Sequence, residues 1–270
     1  MFNRKSIAIG LLLGVVLISV GVAQFRRQID IEVDRHGVPD WKIDPAFKHD
    51  TFTFARVRYT SWGRGGWATD YPDAELNFSY RLQELTSLKV NPKPIVLDLT
   101  DERLFDYPWI YIIEPGGMDL TQAEVEGLRK YLLNGGFLMV DDFWGGQEYR
   151  NFYENIKRVF PDREPQELKL DHPIFHIVYD LKEKPQIPSI GHARNGETYE
   201  FRNDFEDDGS EVHYKGIFDD KGRMMVIICH NTDLGDGWER EGEAEEYFRK
   251  YSEPRAYPMG INIVFYAMTH

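Results

Sequence analysis

The chain has 270 residues, of which 42% are hydrophobic and 14% aromatic, so a sizeable core is possible in one large domain or two small ones. A formal net charge of −13, without a basic stripe, argues against a nucleic-acid partner, because nothing would displace counterions from the phosphates. The single cysteine, Cys229, excludes an intramolecular disulfide, so the fold must rest on its core.

The amino terminus is predicted to be a targeting segment. Arg4 and Lys5 precede an apolar run over residues 7–22, and Ala23 ends a small-residue motif typical of signal-peptide cleavage. The run is also near the shortest length that spans a bilayer, so an uncleaved membrane anchor is the alternative. Whether residues 1–23 are cleaved or retained, the rest of the chain is expected to be extracytoplasmic: periplasmic, secreted or anchored to the membrane.

Residues 24–50 are polar, which predicts a linker or an arm packed on the domain that residues 51–270 form. That domain begins with a strand over residues 52–59, in which Arg56 and Arg58 occupy one face and apolar side chains the other. A helix with acids at its positive end, Asp73 among them, follows. Its predicted buried stripe is Ala74, Phe78, Leu82 and Leu85.

A glycine-rich loop over residues 63–66 connects this strand to the helix. Its backbone N–H groups, with the charge of Arg64, would suit an anion, although the pattern is neither a dinucleotide fingerprint nor a P-loop. The alternative is a tight turn between two packed indoles, Trp62 and Trp67.

Residues 109–146 are predicted to form a β-α-β unit with two apolar strands. Thr121 and Glu124 form a capping box at the start of the helix. The second strand leads directly into Asp141 and Asp142, at the sheet edge where open α/β sheets bind ligands. Because neighbours in an extended segment point to opposite faces, we expect one acid to face the crevice and the other to cap the following turn. Helix capping by both acids is the alternative.

Histidines complete the candidate catalytic residues. His230 ends the strand predicted over residues 224–229, and His172 stands in a turn that leads into an apolar segment. Cys229 is predicted to be buried and inert, because it lies within an apolar strand and lacks the flanking glycines of a nucleophile elbow. The remaining histidines, including His213, are scattered without a metal-ligand spacing, so no metal and no cofactor are predicted.

Four indoles stand in loops after predicted strands: Trp62, Trp67, Trp144 and Trp238. If the loops share one edge of the sheet, the aromatic faces would line one crevice and suit a carbohydrate. The alternative is that these side chains cover the core. The candidate ligand-binding residues stand in these loops or at the start of the helix that begins near Asp73. They are Trp62, Arg64, Asp73, Trp144, Asn231 and Asp233.

The remaining pattern alternates strands and helices. A helix is predicted over residues 147–160, strands over residues 212–218 and 224–229, and a last helix from the spacing of Ile261, Val264, Phe265 and Met268. Such alternation predicts an α/β domain with a mostly parallel central sheet and right-handed crossovers.

Several of these stretches together resemble a bacterial family, the domain-of-unknown-function family numbered 4159. The resemblance covers about residues 50 to 270 and lies in residues 54–59, 71–78, 135–145, 171–176, 231–236 and 266–270. The family resembles a branch of the class I glutamine amidotransferase-like superfamily, near the trehalose-utilisation type. The resemblance implies a flavodoxin-like three-layer α/β fold. It also implies a membrane tether, which relatives often have. The superfamily's enzymes carry a cysteine after a strand, whereas Asp141-Asp142-Phe143 stands at that place here, so amidotransferase chemistry is not expected.

Two hypotheses follow for the function. The first is an envelope domain that binds a carbohydrate, a peptide or a partner protein at the crevice, without amidotransferase chemistry. The second is a hydrolase of a glycan or peptide, with Asp142 or Asp141 as general acid or base assisted by His172 or His230. The membrane would be a partner only through an uncleaved amino-terminal segment.

Overall fold

A computed structural model describes residues 34–47, 50–62 and 66–270. All of these residues except Asp34 belong to the compact unit Arg35–His270. Asp34 is the last residue of a separate unit, Met1–Asp34. The predicted targeting segment and residues 63–65 of the glycine-rich loop, Arg64 among them, therefore lie outside the described residues. Within the described ranges, every helix is too short or too polar to span a bilayer.

A single sheet of seven strands runs through the compact unit. Its strands are β1 (Ala55–Arg58), β2 (Ile95–Asp98), β3 (Trp109–Ile113), β4 (Phe137–Asp141), β5 (Gln166–Glu167), β6 (His213–Phe218) and β7 (Met224–His230). The spatial order is β2-β1-β3-β4-β7-β6-β5, and only the pairings of β6 with β7 and with β5 are antiparallel. The five parallel strands are β1, β2, β3, β4 and β7. If these five are numbered 1 to 5 in chain order, their spatial order is 2-1-3-4-5, which is compatible with a flavodoxin-like sheet.

Helices cover both faces of the sheet. They are α1 (Asp73–Leu85), α2 (Gln122–Leu133), α3 (Gly145–Val159), α4 (Ile190–Arg194), α5 (Leu234–Glu239), α6 (Glu245–Tyr247) and α7 (Tyr257–Thr269), with a π-helical segment, Phe248–Ala256, before α7. Short 3₁₀ helices occupy Pro45–Phe47, Glu102–Asp106, Pro115–Gly117 and Pro173–Phe175. One core joins α1, α5 and α7 to the sheet, and a second joins α2 and α3 to its other face. The prediction of an α/β domain with a mostly parallel sheet is confirmed.

The predicted β-α-β unit is present in β3, α2 and β4. Every residue of both strands is buried, as expected for a parallel sheet covered on both faces. Thr121 accepts a hydrogen bond from the Glu124 N–H, and the Glu124 carboxylate accepts one from the Thr121 N–H at 2.7 Å, so the capping box is confirmed.

Three side chains differ from the predicted pattern. Arg56 lies on the expected face of β1 but is fully buried, where it pairs with Glu75 of α1 and donates to the Thr69 carbonyl in the loop before that helix. Leu85, predicted to be buried, is 51% exposed because it stands in the last turn of α1, beyond the core. Met268 is likewise 42% exposed near the end of α7.

Residues 35–47 contact the body of the compact unit. The Trp41 indole donates to the Val90 carbonyl at 2.7 Å, and the Arg35 guanidinium donates to the Pro92 carbonyl at 2.7 Å. Both acceptors lie in the segment that leads into β2, so this part of the chain is tied to the edge of the sheet.

Candidate functional site

The order of the strands reverses between β1 and β3, and their carboxyl ends define the crevice where such sheets bind ligands. Glu114 follows β3 there, and its carboxylate accepts hydrogen bonds from the Gly66 N–H at 2.5 Å and the Thr69 hydroxyl at 2.8 Å. The Tyr59 hydroxyl, just after β1, donates to the Ile113 carbonyl at 2.7 Å. These contacts hold the loops after β1 and β3 together at the crevice.

Three neighbouring strands end in a non-glycine residue with left-handed backbone. These are Glu114 after β3 (φ 49°), Asp142 after β4 (φ 57°) and Asn231 after β7 (φ 59°). Each backbone N–H donates to the adjoining strand end, for example Asp142 to the Thr232 carbonyl at 3.2 Å. Such conformations cost free energy and cluster at functional sites, so the carboxyl edge is the candidate site.

Asp141 faces the interior. Its Oδ2 accepts hydrogen bonds from the Tyr111 hydroxyl at 3.1 Å and the Gly235 N–H at 2.9 Å, while Oδ1 has no hydrogen-bond partner among the described residues. Burial raises the pKa of Asp141 to about 7. A Cβ at Gly235 would lie 2.9 Å from the Tyr111 hydroxyl, so glycine allows α5 to approach. Asp141 therefore joins β3, β4 and the start of α5.

Asp142 is the half-buried acid that faces the crevice. The Trp144 indole donates to its Oδ1 at 3.2 Å. Burial raises the pKa of Asp142 well above its usual range, and the negative charges of Glu114 and Glu200 raise it further. Asp141 accepts a hydrogen bond from the Gly235 N–H in the first turn of α5, as the predicted capping acid would, whereas the hydrogen bond described for the Asp142 side chain comes from Trp144. That Asp142 is the acid that meets a ligand stays a prediction.

Further acids lie beside Asp142. Asp233 caps α5 by accepting a hydrogen bond from the Asp236 N–H at 2.7 Å, and burial raises its pKa well above the usual range. Burial likewise raises the pKa of Asp236 to about 6, although its carboxylate accepts from the Ile190 N–H at 2.5 Å. The edge therefore holds carboxyl groups that keep a proton to higher pH than exposed acids do.

A positive charge balances one side of this cluster. Carboxylate oxygens of Asp70, Asp236 and Glu239 lie within 4.8 Å of one another. Arg240 lies 3.6 Å from Asp70, 3.4 Å from Asp236 and 2.6 Å from Glu239. The guanidinium thus occupies the place where a cation would neutralise these three acids.

The start of α3 is closed by the chain itself. The N–H groups of Trp144 and Gly145 donate to Glu148 at 2.8 Å and to the Asn231 side chain at 2.8 Å. The Gly146 N–H donates to the Asp207 carbonyl at 3.1 Å. Asn231 also donates to Asp207, so its amide serves internal contacts instead of the crevice. These N–H groups are therefore not available to an anionic ligand.

His172 does not join the carboxyl edge. It begins a 3₁₀ helix, and its ring packs on Tyr266 with 5.5 Å between ring centroids. Tyr266 lines an open groove of about 580 Å³ with Gly135 and Arg223, at the amino ends of β4 and β7. The local turn pattern does not determine which edge of the sheet receives His172, and the described contacts of His172 do not include Asp142.

His230 and Asp73 are engaged by other parts of the chain. The His230 ring contacts the Gly145 carbonyl through Nε2 at 3.1 Å, and burial lowers its pKa to about 4. Asp73 begins α1, and its carboxylate lies 2.5 Å from Nδ1 of His36. Neither makes a described hydrogen bond to Asp142.

The indoles do not form one aromatic wall. Trp144 and Trp238 are buried, the first against the site and the second in the core with Phe78. Trp67 is half-buried over Arg58, and Trp62 is 60% exposed. The four indoles therefore do not share one exposed stacking surface, and for Trp144 and Trp238 the alternative, that they cover the core, is what the structure shows. Cys229 is buried as predicted, and burial raises the pKa of its thiol.

Sequence reasoning missed Glu114 and Asp236. Glu114 directly follows the apolar strand β3, so the rule that selected Asp141 and Asp142 would also have selected Glu114. Asp236 lies within α5, and only the docking of α4 against that helix shows its role.

The sequence profile of one protein family, described as "Domain of unknown function (DUF4159)", matches residues 53–268. No curated protein matches the chain.

Proposed function

The chain belongs to the DUF4159 family, and from this premise we propose that it is a ligand-binding domain of the bacterial envelope without amidotransferase chemistry. The observation that carries the proposal is Asp142, a half-buried acid held in a left-handed backbone at the crevice of the sheet. Its carboxylate accepts a hydrogen bond from Trp144, and no histidine or cysteine makes a hydrogen bond to it among the described residues.

The acids at the edge select the chemistry of the ligand. Asp142 presents carboxyl oxygens beside the negative charge of Glu114. Trp62 exposes an indole near the same loops, since its backbone N–H donates to the Gly117 carbonyl at 2.9 Å. Carboxyl oxygens accept hydrogen bonds from hydroxyl and ammonium groups. The proposed ligand is therefore a carbohydrate or a basic peptide, alone or as part of a partner protein.

We also propose the finer placement in the glutamine amidotransferase-like superfamily and a location outside the cytoplasm. The strand order 2-1-3-4-5 supports the former, and Asp141-Asp142, which stand where the superfamily has its cysteine, are a departure from its motif. The charge and apolar pattern of residues 4–23 supports the latter.

The second candidate is a hydrolase in which Asp142 or Asp141 acts as a general acid. One observation favours it: both carboxyl groups have raised pKa values and so keep a proton to higher pH than usual. The assisting histidines do not support it, because His172 lies at the opposite edge and His230 contacts Gly145.

Asp142→Asn distinguishes the two functions. Calorimetry with N-acetylglucosamine oligomers and with trilysine would measure affinity, and chromatography of the same mixtures would measure cleavage. If the domain binds, the wild type takes up one probe class uncleaved, and Asp142→Asn weakens binding about tenfold or more, since a buried polar group of the complex that loses its hydrogen-bond partner costs about 1–3 kcal/mol.

Asp106→Asn is the matched control, because Asp106 is an exposed acid in a surface 3₁₀ helix. Equal affinity in Asp142→Asn and the wild type would reject the proposed site. Cleavage that disappears in Asp142→Asn at unchanged affinity would establish the hydrolase, and a wild type that binds neither probe would reject this ligand class.

A further inference from the structure

Three side chains converge where the loop before β6 meets β6 and β7. Asp207 stands in the loop, His213 begins β6 and His230 ends β7. Oδ2 of Asp207 lies 3.7 Å from Nε2 of His213 and 3.8 Å from Nδ1 of His230, and the three atoms lie within 4.8 Å of one another. Residues 213 and 230 meet because they are paired in the antiparallel ladder of β6 and β7.

The other nitrogen of each imidazole is occupied by an acceptor. Nδ1 of His213 faces the Glu167 carboxylate at 3.2 Å, and Nε2 of His230 faces the Gly145 carbonyl at 3.1 Å. An acceptor at one nitrogen places the proton there and leaves the lone pair on the other. Nε2 of His213 and Nδ1 of His230 therefore each keep a lone pair, and both nitrogens lie within 4 Å of Oδ2 of Asp207.

His230 supplies a second, independent sign of a ligand. Its side chain is 1% exposed, and Nδ1 has no hydrogen-bond partner within the described part of the chain. A buried polar atom without a partner costs free energy, so such atoms call for an explanation. Two lone pairs and a carboxylate oxygen around one point repel one another unless a cation lies between them.

We propose that Asp207, His213 and His230 bind a divalent transition-metal ion of the zinc class. Two imidazoles and one carboxylate are typical zinc ligands, whereas Mg²⁺ and Ca²⁺ prefer oxygen ligands alone. A tetrahedral zinc ion with bonds of about 2.0–2.2 Å holds its ligand atoms about 3.3 Å apart. The two separations from Asp207, 3.7 and 3.8 Å, exceed this value by about half an ångström, and the histidine nitrogens lie within 4.8 Å of each other.

The surroundings of the three ligands match those of a metal centre. Glu167 orients His213 as a carboxylate orients a zinc-bound histidine, and Asn231 donates to both oxygens of Asp207 at 2.9 and 3.0 Å. The positive charge of Lys215 would repel a metal cation. Its Nζ, however, lies against the face of the Tyr149 ring, 3.9 Å from the ring centre. A bound metal ion would connect the loop that contains Asp207 to β6 and β7. It would thereby also hold the Asp207 carbonyl at the Gly146 N–H, at the start of α3.

Zinc titration tests the site directly. The full chain, purified without a histidine tag and stripped with EDTA, would be titrated with zinc chloride by calorimetry and followed by ¹⁵N-histidine NMR. We expect one tightly bound zinc per chain, with shifts at Nε2 of His213 and Nδ1 of His230. Asp207→Asn and His213→Gln should each weaken binding tenfold or more, and Glu167→Gln about tenfold to a hundredfold.

His270→Gln is the matched control, because this exposed terminal histidine lies outside the group and should leave affinity unchanged. The proposal fails if the wild type binds no zinc, or if His213→Gln and Glu167→Gln bind as the wild type does. It also fails if NMR shows His213 protonated on both nitrogens and insensitive to zinc, because a proton would then occupy the position assigned to the metal. Should Asp207→Asn or His213→Gln not fold, the wild-type spectra and Glu167→Gln decide.

Discussion

Acidic side chains at the carboxyl edge differ in what surrounds them. Asp141 is enclosed and bonded to Tyr111 and Gly235, whereas Asp142 reaches the crevice and bonds to Trp144. Burial raises the pKa of both carboxyl groups. The cost of burying a charge therefore makes the edge sensitive to pH.

Asp141→Asn should flatten the dependence of stability on pH. The folded carboxyl has a pKa of about 7, so between about pH 4 and pH 7 the folded state holds a proton that the unfolded state has lost. Stability then falls as pH rises through that window, by about 4 kcal/mol for this group alone. A neutral amide removes that part of the slope.

Urea unfolding at a series of pH values measures this slope. Asp106→Asn, an exposed acid, should retain the wild-type slope. An Asp141→Asn variant that loses stability between pH 4 and pH 7 as steeply as the wild type would show that Asp141 is ionised in the folded protein.

Packing between whole elements depends on glycine at one close approach. Gly127 lies within α2, and a Cβ there would come within 2.0 Å of the Leu99 carbonyl oxygen, after β2. The obstacle is backbone, so it cannot rotate away as a side chain could. The helix therefore lies closer to the end of β2 than any larger residue would permit.

Gly127→Ala should destabilise the domain by about 1–3 kcal/mol or more, the usual cost of overpacking. Gly191→Ala is the matched control, since it also lies in a helix but a Cβ there has nothing within 4 Å. Thermal unfolding should show a lower Tm for Gly127→Ala and an equal or higher one for Gly191→Ala. Equal Tm values for the two variants would mean that α2 can shift away from Leu99 at little cost.

The compact unit as a whole depends on one sheet shared by two cores. Strands β3, β4 and β7 contribute side chains to both, so loss of one core exposes the other. We expect Arg35–His270 to unfold in one cooperative transition. Cys229 lies in β7, facing the core that contains α1 and α7, and reports on that transition.

The Cys229 thiol should react with an aromatic disulfide reagent only through unfolding. It is fully buried and its pKa is raised by burial, so the reactive thiolate is both scarce and inaccessible. We expect the reaction to be at least about a thousandfold slower in native buffer than in urea, because in native buffer the thiol reacts only in the small fraction of molecules that are globally unfolded. Rapid labelling of the native protein would indicate local opening of β7.

Local patterns in the sequence determined the layered α/β fold, the β-α-β unit, the capping box and the buried Cys229, because periodicity, caps and apolar runs act over a few residues. They also placed Asp141 and Asp142 at a strand end. Only the tertiary structure decided that Arg56 is buried, that Trp144 turns inward and that His172 lies at the far edge. It alone brings Asp207 to His213 and His230, since that contact depends on how a loop packs across paired strands distant in sequence.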